Sequence, residues 1–523
     1  MRKIFFALTI IVLTLAACKK TEELSGPDRL FRPVPKEALA SDGNWIAVSW
    51  EPIKDAVSYT IQLSKDSFRT TISSATVDTT YHLFENLKWE QLYQVQVKAN
   101  AKDSSKNSKF SDLGSIKTPK FPTILNTPGV SDVTDNAVKV SWTTSGAAVT
   151  SIKILKTSDS SVIKQVDLTA TDVTNQYKIV SGLAGSTGYT IFLYSGTSVR
   201  GWADFTTKAP FAGTVIDLRG ITGRPSVLAD TLPLIPSGST VLLDRSQTYN
   251  ISSAVNLSKS VIITSGADLT ASTQAAIFFT SNFNFNAGAV IDSIEFNDVY
   301  MKSDNYGSRY IFNTTNSATV GKLKFMNSKM EIFRGIVRLQ SGTATVNNFI
   351  VNNCVIDSIS GYGIITVDNT TVKADNISIT NSTIYKAEKV ITSTKQTAGS
   401  TSVLVSNCTF NETITGTNTY IDYGSTNVTN GITVSNCIFG VGKSGSTTVR
   451  DVKTGSSTIV NTPGNNYRTS DYVSAGAAND LPNIQVYPKP STQLWQDPIN
   501  GNFKIIDNSF AGRTSAGDPR WRH

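Results

Sequence analysis

Arg334 and Arg338 are the side chains in this sequence best suited to bind an anion, because they stand four residues apart in a β-rich segment. Strand residues of equal parity share a face, so both guanidinium groups are expected to point the same way. Guanidinium forks suit carboxylates, and an aromatic ring nearby can stack on a sugar. We therefore predict an acidic-glycan site made of Arg309, Arg334, Arg338, Tyr362 and Asn313. The competing interpretation is an exposed sheet face with ordinary solubilising residues.

Cleavage of such a glycan demands more than binding. An eliminating lyase needs a base and a cation or acid that neutralises the uronate carboxylate, and a hydrolase needs paired carboxylates. The acidic residues of this region form no triplet in one column, and histidine is nearly absent from the chain. The dispersed aspartates are Asp357, Asp368, Asp375 and Asp422, and the two histidines are His82 and His523. We expect no metal and no cofactor, although calcium is possible if the protein is a lyase with a divergent site.

A repeat positions these side chains. One motif recurs, with an apolar residue before an asparagine and a small residue after it, at intervals of 30, 26, 28, 26 and 29 residues. A β-rich repeat of this length predicts one coil of a parallel β-helix with three strands per turn. Asparagine tolerates left-handed backbone geometry, so it suits the bend, and its amide can bond to the next coil. The predicted ladder is Asn297, Asn327, Asn353, Asn381, Asn407 and Asn436.

The slot after each asparagine holds a small residue. Cysteine fills it three times, and serine or aspartate fills it elsewhere. We expect these residues to stack inside the coil rather than to react or bind metal. Three cysteines in this region also argue against a disulfide framework. The slot residues are Asp298, Ser328, Cys354, Ser382, Cys408 and Cys437.

The same repeat assigns the faces of the strand after the ladder. The inward residues are predicted to be Ile311, Ile336, Ile364 and Val390. One outward stripe is then Arg309, Arg334, Tyr362 and Glu388, and the other is Asn313, Arg338, Thr366 and Thr392. The sequence thus predicts a groove along one sheet, lined by cations and one aromatic ring.

The two ends of this region carry a resemblance to known families. Residues 235–243, followed by Tyr249 and 261–263, resemble the opening coil of pectin-lyase-like proteins. Residues 516–521 resemble the closing signature of β-helix lipoproteins encoded in polysaccharide-utilisation systems. The resemblance implies a right-handed parallel β-helix over 213–523 that handles acidic polysaccharide. Trp521 is expected to cover an open coil end, which would otherwise expose strand edges.

Two shorter modules precede the repeats, over 30–118 and 122–208. Both show alternating strands, an early core tryptophan, and a leucine followed six residues later by a tyrosine that starts a strand. These features resemble fibronectin type III sandwiches, in which the tyrosine hydroxyl pins a corner. Their expected role is spacing, and the alternative is glycan binding through exposed tryptophans. The residues concerned are Trp50, Leu87 and Tyr93, then Trp142, Leu183 and Tyr189, with Trp45 and Trp89 as the candidate exposed tryptophans.

The amino terminus predicts export. Residues 1–17 have a positive start and an apolar run too short to span a bilayer, which is typical of a signal peptide. The last residues of this segment and the following Cys18 form a pattern that resembles a bacterial lipobox, so we expect lipidation of Cys18. Residues 18–29 are then expected to form a tether. The net charge of +8 is spread over 523 residues without a basic block, so no nucleic-acid partner is expected.

The sequence therefore predicts an all-β protein: two fibronectin type III sandwiches followed by a right-handed parallel β-helix. The expected function is that of an outer-membrane lipoprotein, anchored by its lipid and facing the cell exterior, that binds an acidic polysaccharide for capture and uptake. An outer-membrane glycan transport complex is a possible protein partner. A divergent polysaccharide lyase and a structural or adhesive rod are the alternatives.

Overall fold

The computed structural model describes residues 29–119, 122–211, 213–444 and 448–523. The predicted signal peptide, the lipidation site Cys18 and nearly all of the tether lie outside the described residues. The chain is all-β: two fibronectin-type-III-like antiparallel sandwiches precede a parallel β-solenoid, which confirms the predicted fold class. Within the ranges above, no helix has the length and apolar character needed to cross a membrane.

The first sandwich pairs a four-stranded sheet, in the order β3-β2-β5-β6, with the two-stranded sheet β1-β4. The strands are β1 Ile46–Ser49, β2 Ala56–Ser64, β3 Ser73–Val77, β4 Tyr81–Phe84, β5 Leu92–Ala101 and β6 Ser111–Lys117. Trp50 is fully buried in its core. The hydroxyl of buried Tyr93 accepts the backbone N–H of Lys88 at 3.0 Å, as expected for a tyrosine that pins a corner.

The second sandwich repeats this arrangement, with the sheet order β12-β11-β8-β9 and the pair β10-β7. Its strands are β7 Ala137–Ser141, β8 Ser151–Lys156, β9 Val162–Asp167, β10 Tyr177–Ser181, β11 Gly188–Ser195 and β12 Ser198–Thr206. Helix α1, Ala170–Asn175, connects β9 to β10. Trp142 and Tyr189 are buried, as the sequence pattern predicts.

The solenoid has one parallel sheet of ten strands that contributes one strand per coil. Its strands are β13 Val215–Asp217, β14 Ser239–Leu243, β17 Val261–Ser265, β20 Ala289–Asn297, β23 Ala318–Met326, β25 Thr345–Asn352, β27 Lys373–Thr380, β30 Ser402–Ser406, β33 Ile432–Ser435 and β36 Val460–Asn461. Helix α2, Val227–Thr231, buries Val227 and Leu228 in the solenoid core near its first coils.

The other sheet has seventeen strands and folds around a corner, because each full coil contributes two strands to it. They are β15 Thr248–Ile251, β16 Val255–Leu257, β18 Ala275–Phe279, β19 Phe283–Phe285, β21 Val299–Ser303, β22 Tyr310–Thr314, β24 Lys329–Leu339, β26 Val355–Val367, β28 Thr383–Ala387, β29 Ile391–Thr392, β31 Thr409–Asn411, β32 Thr419–Asp422, β34 Ile438–Phe439, β35 Thr448–Lys453, β37 Tyr467–Arg468, β38 Val473–Ser474 and β39 Gln485–Val486. The long strand β24 pairs with both β21 and β22. A coil therefore has three strands, as the repeat length predicts.

The core of the solenoid is a continuous column of aliphatic and phenylalanine side chains. Cys354, Cys408 and Cys437 are fully buried in it. Burial raises the pKa of the Cys354 thiol to about 12, so this thiol stays protonated. The predicted inward stacking of these cysteines is confirmed. Asp298 does not share the slot: Val299 fills it, and its backbone N–H donates to the Ser328 hydroxyl at 3.2 Å.

The bend before this slot is left-handed in every coil of the predicted ladder, with φ between 51° and 55° at five asparagines: Asn327, Asn353, Asn381, Asn407 and Asn436. The sixth position belongs to Asp298, with φ 53°. Asn297 was predicted to occupy it, but Asn297 pairs with Met326 and so lies one residue earlier. The buried pair Phe296 and Phe325 fixes this register, since a shift by one residue would turn Phe296 outward.

The ladder lies at the surface, and only part of it bonds from coil to coil. The amide of Asn327 donates to Asn297 at 2.7 Å, and that of Asn353 donates to Asn327 at 2.8 Å. Farther along, the carboxy-terminal arginines take over: Arg520 donates to Asn353 Oδ1 at 2.6 Å, and Arg522 donates to Asn407 Oδ1 at 2.7 Å.

The carboxy-terminal tail includes α3, Ser491–Leu494, and the antiparallel strands β40, Trp495–Asp497, and β41, Asn502–Ile505. Trp521 was expected to cover an open coil end. Its indole N–H instead donates to Thr383 Oγ1 at 2.7 Å on β28, on the outer side of the coils. The Thr383 hydroxyl in turn donates to the buried Asp518 carboxylate at 2.7 Å, so two residues of the tail are bonded to this one side chain.

One carboxylate in the solenoid core makes stability depend on pH. Asp451 is 1% exposed, and it accepts hydrogen bonds from the Tyr472 hydroxyl and the Leu481 N–H. Burial raises its pKa from 3.8 to about 6. A raised folded-state pKa gives a stabilisation that is complete below the unfolded pKa and is lost as pH rises through 6.

We therefore expect the stability of Asp451→Asn, relative to that of the native chain, to increase as the pH rises from 4 to 8. The expected gain is up to about 3 kcal/mol, because two pKa units correspond to that free energy. Native-state hydrogen exchange of the amides around residue 451 in both proteins, measured across this pH range and corrected for intrinsic exchange rates, gives this difference. A stability difference that stays constant from pH 4 to pH 8 would contradict the assignment.

Candidate functional site

The register of the strand after the ladder matches the prediction. Asn313 pairs with Arg338, Arg338 with Thr366, and Thr366 with Thr392 on successive coils. The predicted inward residues are all buried: Ile311, Ile336, Ile364 and Val390. Arg334 and Arg338 are both half-buried, whereas the three residues between them, 335–337, are all buried, so strict alternation does not hold along this part of β24.

A bulge interrupts the first predicted stripe, the one that contains Arg334 and Tyr362. Phe333 pairs with Ile359 and Gly335 with Gly363, so Arg334 alone faces the three residues 360–362. Such a bulge pushes the longer strand outward, and here it presents Tyr362. Glu388 consequently does not stand directly beside Tyr362, as the predicted stripe of Arg309, Arg334, Tyr362 and Glu388 required.

The guanidinium groups of both arginines gather around Tyr362. The guanidinium carbons of Arg334 and Arg338 lie 4.7 and 4.4 Å from the centre of its ring. They lie 6.0 and 5.8 Å from the ring of Tyr310, which meets Tyr362 edge to face at 5.5 Å. Gly335 makes this possible, because a Cβ there would lie 2.7 Å from Tyr362 Cβ. The ring of Tyr362 thus holds two cations by cation–π attraction.

The three predicted arginines differ in their carboxylate partners. Arg338 donates to Asp368 at 2.9 and 2.5 Å, and Arg309 donates to Asp304 at 2.7 Å. Among the described residues, no carboxylate forms an ion pair with Arg334. Arg334 is therefore the cation that a ligand carboxylate would meet, whereas Arg338 is already neutralised.

Two buried polar atoms beside the arginines have no hydrogen-bond partner among the described residues: Tyr310 Oη and Asn313 Oδ1. Such orphaned atoms are rare in proteins, and each costs roughly 1–3 kcal/mol. Burial raises the pKa of Tyr310, so its hydroxyl keeps the proton. The carbonyl of Asn313, a predicted ligand-binding residue, is turned away from solvent, so it is not an open contact for a sugar.

Arg334 and Tyr362 border a cleft of about 500 Å³, which we call the arginine cleft. Its lining includes Arg334, Tyr362, Asp368, Lys389 and Thr392. Lys389 is a second cation, absent from the predicted set, and it too forms no ion pair within the described ranges. The arginine cleft therefore offers two open positive charges next to a tyrosine.

A second cleft of about 710 Å³, the glutamate cleft, was not predicted. Its lining includes Tyr306, Lys386, Glu388, Glu412 and Lys443. The Tyr306 hydroxyl donates to Glu388 Oε1 at 2.7 Å and also contacts the ammonium of Lys443. Burial and Glu388 raise the pKa of Tyr306, so it remains a proton donor. Tyr306 and Lys443 lie on loops outside the repeat, so periodicity gives no signal for them.

The described part of the chain contains no group of three or more His, Cys, Asp or Glu side chains that could hold a metal ion. Asp357, Asp368, Asp375 and Asp422 are among the residues that do not form such a group.

Comparisons with known proteins give families without a described activity. A model described as "Domain of unknown function (DUF4957)" matches residues 247–387, and one described as "Domain of unknown function (DUF5123)" matches residues 403–521. Arg334 and Tyr362 fall within the first match. No curated protein matches the chain.

Among solved structures, the chain is similar to the FN1–FN3 domains of chicken CNTN1, with 15% identity, 34% of this chain and 66% of that chain covered, and a TM-score of 0.16. It is also similar to a two-domain fibronectin type III segment of chicken tenascin, with 18% identity, coverage of 34% and 99%, and a TM-score of 0.17.

Proposed function

We propose that this chain is a non-catalytic surface lipoprotein that binds an acidic polysaccharide on its solenoid for capture and uptake. Lipidation at Cys18 would tether it to the outer membrane, facing the exterior, and the two sandwiches would act as spacers. An outer-membrane glycan transport complex is the protein partner that would accept the captured chain.

The proposal rests on the surroundings of the Arg334 guanidinium group. Its guanidinium is held against Tyr310 and Tyr362, is half-buried beside a cleft, and has no ion-pair partner within the described ranges. A fixed fork with open donors binds a carboxylate at a low entropic cost, because its geometry is set before the ligand arrives. Lys389 adds a second positive charge to the same cleft. A uronate carboxylate fits both features.

The arrangement favours binding over cleavage. Elimination needs a base beside the carbon that bears the carboxylate. The carboxylate of the arginine cleft, Asp368, is bonded to Arg338 and so is poorly placed to accept that proton. A lyase with a divergent site is the alternative, and its products absorb light, so one experiment addresses both.

The experiment incubates the chain without residues 1–18 with a panel of acidic and neutral polysaccharides. We expect retardation in affinity gels that contain uronate polymers, with no rise in absorbance at the unsaturated-uronate band. Gels with neutral polymers serve as the control. Growing absorbance would identify a lyase, and failure to bind any polymer of the panel would favour a structural rod.

A further inference from the structure

Trp202, on β12 of the second sandwich, is the most exposed tryptophan of the chain. All seven tryptophans lie in the described ranges, and Trp202 has 36% of its surface accessible. Trp45 and Trp89, the tryptophans expected to be exposed, are both half-buried. The Trp45 indole packs on Gly43, where an added Cβ would lie 2.9 Å from its nitrogen. The exposed tryptophan therefore belongs to the second sandwich rather than the first.

Two further aromatic side chains share the outer sheet face with Trp202. Phe192 and Tyr194 alternate with buried residues along β11, so they point outward, and their ring centres lie 6.4 Å apart. The Thr190 hydroxyl donates to the Asp204 carboxylate at 2.6 Å, from β11 to the neighbouring strand β12. In this antiparallel register Phe192 lies opposite Trp202, on strands that are about 4.8 Å apart. The second sandwich thus presents three aromatic side chains on one face.

A lysine stands among these aromatic side chains. Lys153 of β8 pairs with Phe192, and its ammonium lies 5.0 Å from the centre of the Tyr194 ring. Among the described residues, no carboxylate forms an ion pair with Lys153. We call Trp202, Phe192, Tyr194 and Lys153 the aromatic face. Its lysine is an open donor, and the Asp204 carboxylate at its border is an acceptor.

This combination suits a sugar better than a protein surface. A sugar ring has an apolar side that stacks on an aromatic ring, and its hydroxyl groups require donors and acceptors nearby. The cores of protein–protein interfaces are depleted in lysine, whereas Lys153 lies in the row of Phe192 and Trp202. The arginine cleft shows the same pairing of an open cation with a tyrosine ring, in Arg334 and Tyr362. One ligand chemistry therefore fits both places.

We infer that the aromatic face is a second binding site for the acidic polysaccharide, with a sugar ring stacked on Trp202 and a uronate carboxylate at Lys153. The second sandwich is then a binding module as well as a spacer. This inference rests on the proposed function, because it takes the same polymer as the ligand. An open face buries less of a ligand than a cleft does, so we expect weaker binding at the aromatic face than in the arginine cleft.

The test counts and ranks the sites of the chain without residues 1–18. Equilibrium dialysis against an isotopically labelled uronate trisaccharide is expected to resolve two classes of site, with one ligand in each. Trp202→Ala should remove the weaker class and leave the tighter one unchanged. Arg334→Ala should weaken only the tighter class. Tyr81→Ala is the matched control, because it removes an aromatic ring that is 51% exposed on the first sandwich, and it should leave both classes unchanged.

Two milder variants test the aromatic face without removal of the tryptophan. Trp202→Phe keeps a ring that can stack, so it should retain the weaker class at reduced affinity. Lys153→Gln keeps a polar side chain but loses the charge, so it should weaken that class about 10-fold, as expected for loss of a hydrogen bond to a charged group. Circular dichroism of all variants checks that each remains folded.

The outcomes separate this inference from the function on which it rests. A single class of site that Arg334→Ala weakens and Trp202→Ala keeps would overturn the inference and leave the proposed function in place. A single class that Trp202→Ala removes and Arg334→Ala keeps would support the inference and overturn the proposed site on the solenoid. Two classes that both survive Trp202→Ala would also overturn the inference. Absence of any binding would overturn both.

Discussion

Replacing Arg334 with alanine is expected to weaken binding of uronate-containing polymers roughly 10- to 100-fold. A hydrogen bond to a charged group contributes roughly 1.5–3 kcal/mol, which corresponds to that range. The solenoid should stay folded, because Arg334 forms no ion pair within the described ranges. The side chains that this part of β24 buries in the core are those of Ile336 and Val337, which the substitution keeps. Isothermal titration or affinity gels measure the loss, and thermal denaturation checks the fold.

Two further variants sharpen this prediction. Arg334→Lys keeps the charge and loses the fork, so it should restore only part of the affinity if the contact is bidentate. Lys322→Ala removes one positive charge from an exposed position of β23, on the ten-stranded sheet, and should leave binding unchanged. Equal weakening by Arg334→Ala and Lys322→Ala would show that only net charge matters and would place the site elsewhere.

Replacing Arg338 is expected to affect ligand binding in a different way from replacing Arg334. Its guanidinium is bonded to Asp368 and packs on Tyr362, so Arg338→Ala strands a carboxylate as well as removing a cation. A double substitution of Arg334 and Arg338 should abolish binding in the arginine cleft. The single variants then separate ligand contact at Arg334 from positioning of Tyr362 by Arg338.

The second large effect is expected at the carboxy-terminal tail. Trp495 is fully buried and packs edge to face on Phe503 at 5.2 Å, within the cluster that also includes Ile438 of the solenoid. Truncation of a buried tryptophan to alanine costs about 3–5 kcal/mol. We expect Trp495→Ala near the lower end of this range, because the indole N–H has no hydrogen-bond partner within the described ranges and its removal relieves that cost.

Hydrogen exchange of residues 487–523 is the measurement suited to this variant, since a chain of several domains does not unfold in a single step. Trp495→Ala should speed exchange in the tail by two orders of magnitude or more, as about 3 kcal/mol implies. Ile506→Ala is the control, because Ile506 is largely exposed and its loss should change stability by less than about 0.5 kcal/mol. Unchanged exchange in the tail of Trp495→Ala would show that the tail does not depend on this cluster.

Local sequence patterns were enough to predict the repeating architecture. Alternation along a strand and a preference for left-handed backbone are local properties, so the motif around Asn327 and its repeats carries both the coil length and the bend. The strand register that joins Asn313 to Arg338 and Thr366 also follows, because each of these residues is flanked by an apolar residue that must point inward. At Asn297 the motif failed, since the asparagine there is one residue from the bend that Asp298 occupies.

The arrangement of the site and the path of the tail depend on contacts between residues that are far apart in the sequence. The bulge before Gly363 breaks the periodicity, so the position of Tyr362 depends on an insertion that spacing cannot locate. Ion pairs such as Arg338 with Asp368, and the contact of Tyr306 with Lys443, join residues 30 and 137 positions apart, as packing of separate coils and loops dictates. The tail is bonded to the outer face of the coils where Thr383 accepts from Trp521 and donates to Asp518, a contact over 135 or more residues that local sequence does not encode.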